Sequence, residues 1–305
     1  SAPDFESPQD ADANNVYEIS ITVSDGSAIA SLEVSISVTD VDEPSGGSGG
    51  QVAGVVVAGS YLSNASVFQD VNGNRAKDED EAGATTDILG VFSFEVNDYT
   101  AGKIISVGGV EPGSGTAYGS SFTLDGGIAS EETLVISPLG SLLEAGRASN
   151  EERAIQILQS LEFSEAAATR DPLEALELGK EDATSLAVSH AQLSIITASL
   201  SAITGLSMPD IEGVIAERAS TTDTLLRFSS VQLLADVAAD LNDDVLNSFI
   251  TDVTGSLGRF LQQIVATDTA TIAEFTDVGL RVVVTDSVAI ASGDTALADT
   301  YRDAL

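Results

Sequence analysis

Residues 137–146 read SPLGSLLEAG, and here the hydrophobic period of the chain changes. Before this stretch, apolar residues alternate with polar ones or come in short runs bounded by Gly and Asn, as in β-strands. After it they recur at a spacing near 3.6, as in helices with one buried face. Strands grouped before helices, with no βαβα alternation, predict an α+β fold. The expected architecture is a β-sandwich-like region packed with an Ala/Leu-rich helical bundle.

Moving back from this point, "KIISVGGV" (103–110), "SSFTL" (120–124), "GVFSFEV" (90–96), "NASVFQD" (64–70) and "QVAGVVVAG" (51–59) read as strands. They make a β region of roughly six strands, ending near residue 136. "EPSGGSGGQ" (43–51) is a flexible Gly/Ser linker; its regularity resembles a laboratory linker, and a natural hinge is the other reading. Further back, Tyr17, Ile19, Ile21 and Val23 alternate on one face, followed by Leu32, Val34, Ile36 and Val38 beyond the turn "SDGSA". This predicts a hairpin with one buried face, and two strands alone are marginal in water. The expected boundaries are 1–44 for the hairpin segment, 45–51 for the linker, 52–136 for the β region and 137–305 for a mainly helical region.

Forward of the switch, Asn150 caps "EERAIQILQSL", which has acids in its first turn and Ala154, Ile155, Leu158 and Leu161 on one side. Asp171-Pro172 opens a short helix ending at Gly179, and residues 183–204 form a long Ala/Leu/Ile/Ser helix closed by Gly205. Further helices are expected at 209–219, 221–240 and 243–266. The tail "GLRVVVTDSVAIASG" (279–293) reads as a return to strand.

Composition narrows the function classes. Forty-eight acids against 12 bases give a formal net charge of −36, which repels phosphate backbones and anionic membranes and argues against nucleic-acid binding. That charge fits calcium binding, salty surroundings or high solubility outside a cell. With no cysteine, disulfides, thiolate catalysis and zinc-thiolate sites are excluded. The single histidine, His190, excludes multi-histidine metal clusters. No uninterrupted apolar run reaches the ~18 residues of a membrane span. The first residues read as mid-domain, so the chain is expected to be a segment of something larger.

The most informative motif is "QDVNGNRAKDEDE" (69–81), directly after the apolar Val67-Phe68. With Asp70 as position 1, Asn72 and Asn74 fall at 3 and 5, the Ala76 carbonyl at 7, Asp78 at 9 and Glu81 at 12. That is the ligand spacing of an EF-hand loop, whose six to eight hard oxygens suit calcium. Magnesium suits it less, because it retains waters. Arg75 stands at position 6, where glycine normally permits the bend, and the preceding run reads as strand where an EF-hand has helix. A solvated acidic loop is the alternative.

Two stretches resemble known families. "APDFESPQDADANNVYEISITVSDG…VSISVTDVDEP" resembles the last third of a bacterial cadherin-like repeat, with "PDFE" and "DVDEP" at its calcium motifs. The resemblance implies Glu6, Asp40, Asp42 and Glu43 as further calcium ligands, with Pro44 removing one donor. "VAGSYLSNASVFQDVNGNRAKDEDEAGATTDILGVFSFE" through "VGGVEPGSG" to "LVISPLGSLL" resembles modules of very large bacterial surface proteins, among them RTX-type adhesins of Gram-negative bacteria. That likeness implies a β-sandwich with a calcium loop, in a cell-surface protein reaching toward a target.

Other residues point to structure. His190 lies in an apolar helical stretch, Met208 before Pro209 suits a helix junction, and Asp171, Glu174 and Glu177 suit a helix N-terminus. Asp243 and Asp244 read as capping acids, and "GGVEPGSG" lacks the lysine and following helix of a phosphate cradle. No pattern reads as catalytic. The expectation is a non-enzymatic, monomeric, calcium-stabilised scaffold module of an extracellular bacterial adhesin. It would pack against neighbouring domains of the same protein, with no nucleic acid and no membrane insertion. The alternative is a module that itself contacts a peptide, glycan or protein on a host or other cell surface.

Overall fold

A computed structural model describes residues 16–24, 26–27, 29–37, 49–130, 132–221, 226–241, 257–264 and 267–291. The chain divides into two compact units, 1–46 and 47–305, so the boundary falls inside the Gly/Ser linker. The linker itself is shorter than expected, because Gly50 and Gln51 already pair in a strand.

The first unit contains the predicted hairpin, β1 (Val16–Ser24) and β2 (Ile29–Ser37), antiparallel with Ile19 opposite Val34 and Ile21 opposite Leu32. Alternation sets the register, so these apolar side chains share one face. The buried face expected for it is not found: Ile19, Ile21, Val23, Leu32 and Ile36 are all exposed. Two strands have only one layer, and no second layer covers them among the described residues of this unit.

The second unit is α+β, with strands and helices sharing one hydrophobic core. Seven strands precede the helices: β3 (Gly50–Val56), β4 (Ser66–Asp70), β5 (Gly83–Thr85), β6 (Val91–Val96), β7 (Lys103–Val110), β8 (Ala117–Ile128) and β9 (Leu134–Ile136). They form a three-stranded sheet, β6-β3-β9, and a four-stranded sheet, β5-β4-β7-β8. Val52, Val56, Phe92 and Ile136 from the first sheet join Val67, Ile104 and Leu124 from the second in the core. Short β5 and β9 have too few residues to show a period, which is why the expected count of about six falls short.

The helical layer is α1 (Pro138–Ser149), α2 (Glu151–Leu161), α3 (Glu165–Ala168), α4 (Pro172–Glu177), α5 (Ala183–Thr204), α6 (Met208–Ser220), α7 (Val231–Leu241), α8 (257–263) and α9 (Thr269–Ala291). Starts follow local capping chemistry. Ser137 accepts from the Gly140 N–H with Pro138 at the first position, and Ser207 with Asp210 forms a capping box. In α2 the buried side chains are Ala154, Ile157, Leu158 and Leu161; Ile155 is exposed, so the expected stripe is corrected by one residue. Residues 279–291, expected as strand, belong to α9. Their β-branched residues favour strand locally, but the segment continues a helix whose residues Ile272, Thr276 and Leu280 are buried, and tertiary context overrides the local preference. There Gly279 lies so close to Ile195 that an added Cβ would sit 2.6 Å from its Cδ1. The expected helix at 243–266 falls largely outside the described residues, as do Asp243 and Asp244.

α5 is long and apolar enough by length and composition to cross a membrane, and 78% of its most apolar 18-residue window is buried inside the protein. It is a core helix apolar on every side. Three buried hydroxyls bond backward, Ser194 to the His190 carbonyl, Thr197 to that of Leu193 and Ser199 to that of Ile195, while Ser201 bonds forward to that of Leu206. α1 and α6 lie against β8, and a polar cleft opens at this contact.

Candidate metal centre

β4 and β5 are antiparallel neighbours, and the loop 71–82 joins them. Both ends are fixed: Asp70 pairs with Lys103 on β7, and the Gln69 N–H donates to the Ala82 carbonyl at 2.9 Å. The loop is therefore held on a buried sheet, with Asp70 and Glu81 at its two ends only 5% and 6% exposed.

The sequence-predicted residues converge. Asp70 Oδ1 accepts from the N–H groups of Gly73 (2.8 Å) and Asn74 (3.2 Å), and Oδ2 accepts from that of Arg75 (2.9 Å). Asn72 and Asn74 both donate through Nδ2 to Asp78 Oδ2, at 2.6 and 2.8 Å. Glu81 spans the loop, its Oε1 accepting from the Val71 N–H (2.9 Å) and its Oε2 from the Asp78 N–H (3.1 Å). Ala76 donates its N–H to Asn74 Oδ1 (2.7 Å). The bend needed near position 6 is made twice, by Gly73 at φ 76° and by Arg75 at φ 59°. Arginine thus occupies the left-handed conformation that glycine adopts more cheaply.

The donor set tests the fit to a hard cation. Asp70, Asn72, Asn74, Asp78 and Glu81 side chains with the Ala76 carbonyl offer oxygen alone, as calcium prefers. Among the described residues no group of three or more His, Cys, Asp and Glu side chains stands in metal-holding geometry. Of the loop's five carboxylates, the three at the predicted ligand positions, Asp70, Asp78 and Glu81, are turned to N–H donors of the loop. In type, these donors (carboxylates, Asn amide oxygens and a main-chain carbonyl) are those that calcium takes. Glu6, Asp40, Asp42 and Glu43, the ligands implied by the cadherin-like resemblance, lie outside the described residues.

A second polar constellation adjoins the loop, and sequence reasoning missed it. A cleft of about 220 Å³ between β8 and helices α1 and α6 is bordered by Arg75, Lys103, Asp125, Ser141, Glu144 and Glu212, among others. Asp125 Oδ2 receives Lys103 Nζ at 3.3 Å and an Arg75 guanidinium nitrogen at 3.6 Å. Lys103 also meets Glu144 at 3.0 Å, and Glu144 meets Arg147 at 2.7 Å. Burial favours neutral Lys103, but Asp125 and Glu144 outweigh it and raise the ammonium pKa. Burial likewise opposes the Glu144 charge, and Arg147 with Lys103 holds its carboxyl below the usual range. Glu212, 1% exposed, is pushed up to about 8 by burial, so it carries a proton at neutral pH. Apart from Glu144 and Arg147, the paired residues are 22 to 50 positions apart in the chain, a separation that no local pattern marks.

The other single residues sit as structure. His190 is fully buried in α5, where burial lowers its pKa to about 3. Met208 is buried at the start of α6, and Asp171 caps α4 while accepting the Tyr61 hydroxyl at 2.9 Å. In "GGVEPGSG", Glu111 accepts from the Gly113 and Ser114 N–H groups, so the loop closes on its own carboxylate. No family model matches the chain, and neither a curated protein nor a solved structure matches it.

Proposed function

We propose that the chain is a calcium-stabilised structural module of an extracellular bacterial adhesin, non-enzymatic, that supports or positions neighbouring ligand-binding domains. One observation carries the calcium part. The side chains at positions 1, 3, 5, 9 and 12 are hydrogen-bonded within the 70–81 loop, which is anchored at both ends to a buried sheet, with Asp70 bonded to three successive amide N–H groups. Asp70, Asn72, Asn74, Asp78, Glu81 and the Ala76 carbonyl would hold the ion. A bound calcium would supply positive charge to a loop carrying Asp70, Asp78, Glu79, Asp80 and Glu81. Because the folded loop gathers ligands that the unfolded chain scatters, binding free energy becomes folding free energy. The adhesin setting is supported by the sequence resemblance and by the net charge of −36.

Thermal melts of the parent in chelator and in millimolar calcium test the reading, with Asp70→Ala and Glu81→Ala alongside. The expected result is an upward shift in the parent that both variants lose. Superimposed curves in chelator and calcium would overturn the calcium reading.

A module that itself contacts a ligand is the second reading, and the cleft at the β/helix junction is the observation that favours it. Its 220 Å³ suits a small polar molecule, and among the described residues no aromatic side chain lines it as a platform for glycan or peptide. The scaffold reading is therefore preferred.

A further inference from the structure

Arg75 belongs to the loop by its backbone and to the β/helix cleft by its side chain. Its N–H donates to Asp70 Oδ2 at 2.9 Å, inside the candidate calcium loop. Its guanidinium leaves the loop and reaches Asp125 on β8 at 3.6 Å. From Asp125 the contacts continue into the helices. The Asp125 N–H donates to Ser141 Oγ on α1 at 3.0 Å, and the Ser141 hydroxyl donates to Glu212 Oε2 on α6 at 2.7 Å. Asp125, Ser141 and Glu212 are 4%, 0% and 1% exposed, so this relay runs through the interior.

Two further facts concern the same cleft. Arg75 Nη1 and Glu212 Oε1 are both buried without a hydrogen-bond partner, and both residues border the cleft. Both polar atoms therefore belong to the interface at which the loop, β8 and the helices meet. Arg75 also sits at φ 59°, where a side chain is unfavourable and a glycine would serve the turn. The loop's own closure does not require a guanidinium, and the acid that the side chain meets is Asp125, 4% exposed on β8.

We propose that Arg75 is a latch that couples ion occupancy of the 70–81 loop to the docking of α1 and α6 on β8. The proposal rests on the calcium reading of the loop. When the loop is ordered around calcium, Asp70 fixes the Arg75 N–H, and the backbone at Arg75 sets the direction of the guanidinium. Arg75 then holds Asp125, whose N–H holds Ser141, which holds Glu212. The coupling is reciprocal, so loosening the cleft weakens calcium binding by the factor with which calcium tightens the cleft. For an extended surface protein, the consequence is that calcium stiffens the whole module, helices included.

Hydrogen exchange on the 305-residue chain, in chelator and in millimolar calcium, tests the latch, with calcium binding followed by calorimetry on the same samples. The parent is compared with Arg75→Gly, which keeps the turn and removes the side chain, and with Asp125→Asn, which leaves the loop sequence intact. In the parent, calcium is expected to slow exchange of the α1 and α6 amides at least about fivefold, the lower end of ordinary coupling. Both variants should still bind calcium, and that protection should fall below about twofold. Undiminished protection of α1 and α6 in Asp125→Asn would overturn the latch while leaving the calcium site standing, even if Arg75→Gly failed to bind. A parent that binds calcium without protecting the helices would overturn it equally. A parent that gives neither binding heat nor protection would remove the calcium reading itself, and the latch with it.

Discussion

The Ser141 hydroxyl donates to Glu212 Oε2 at 2.7 Å, joining α1 to α6 beneath β8. The bond leaves Glu212 Oε1 buried and unmet, on a carboxyl whose pKa burial pushes up to about 8. This pair makes the β/helix interface sensitive to pH in a definite direction. The folded pKa lies above the ordinary carboxylate value, so the native state keeps a proton that the unfolded chain loses above about pH 4.5. The Glu212 contribution is fully present below that pH and is lost as pH rises toward 8, by about 1.4 kcal/mol per pH unit. Glu212→Gln removes the titration. Denaturation from pH 5 to pH 8 should show the variant gaining on the parent with each unit, and a constant difference would contradict this.

His190 behaves in the opposite sense. Burial holds its pKa near 3, below the ordinary 6.5, and neither ring nitrogen has a partner. The unfolded chain takes a proton below about pH 6.5 that the native core refuses, so stability is lost as pH falls from there toward 3. His190→Leu keeps most of the apolar bulk and cannot titrate. Its stability in acid titrations should fall less steeply than the parent's below pH 6.5, by about 1.4 kcal/mol per unit.

Thr86 bridges two main-chain groups in the β region. Its hydroxyl donates to the Leu62 carbonyl at 2.6 Å and accepts from the Ala65 N–H at 2.8 Å, all with the residue 3% exposed. Thr86→Val keeps the shape and strands both groups. Each buried unmet group costs roughly 1–3 kcal/mol, so a loss of about 2 kcal/mol or more is expected in urea denaturation. Thr86→Ser should lose less, because it keeps the hydroxyl.

Gly59 is where the β region meets α9. Its φ is 101°, and an added Cβ would lie 2.1 Å from Thr276 Oγ1 and 2.5 Å from Thr276 Cβ. Gly59→Ala should therefore lose roughly 1–3 kcal/mol from overpacking, with backbone strain besides. Adding Thr276→Ala should recover only part of the loss, since the Cβ clash and the left-handed backbone remain. Full recovery in the double variant would show that the strain is not in the backbone.

Much of the fold is legible locally because local chemistry sets it. The bounds of α5, from residue 183 to Thr204 with Gly205 at φ 72°, follow from composition and a left-handed cap. Asn150 and Asp171 begin their helices where the sequence places them, because short polar side chains satisfy free N–H groups within two or three residues. The loop at 70–81 is legible for the same reason, its bonding partners lying within a dozen residues.

What escapes the sequence is whatever depends on distant partners. Residues 279–291 carry a strand-like composition and continue a helix that meets α5, with Gly279 against Ile195. Arg75 reads in the sequence only as an awkward substitute for glycine, and Asp125, Ser141 and Glu212 draw no notice there. Their relation comes from α1 and α6 packing on β8, which brings residues far apart in the chain within hydrogen-bonding distance. The sequence by itself determined the switch from strands to helices, the caps and the oxygen-rich loop, since each is an interaction within a turn or two. Only the tertiary structure decided which acids are buried, which of them stay protonated and which cation meets them, because desolvation and Coulomb energy depend on positions in space and not on spacing along the chain.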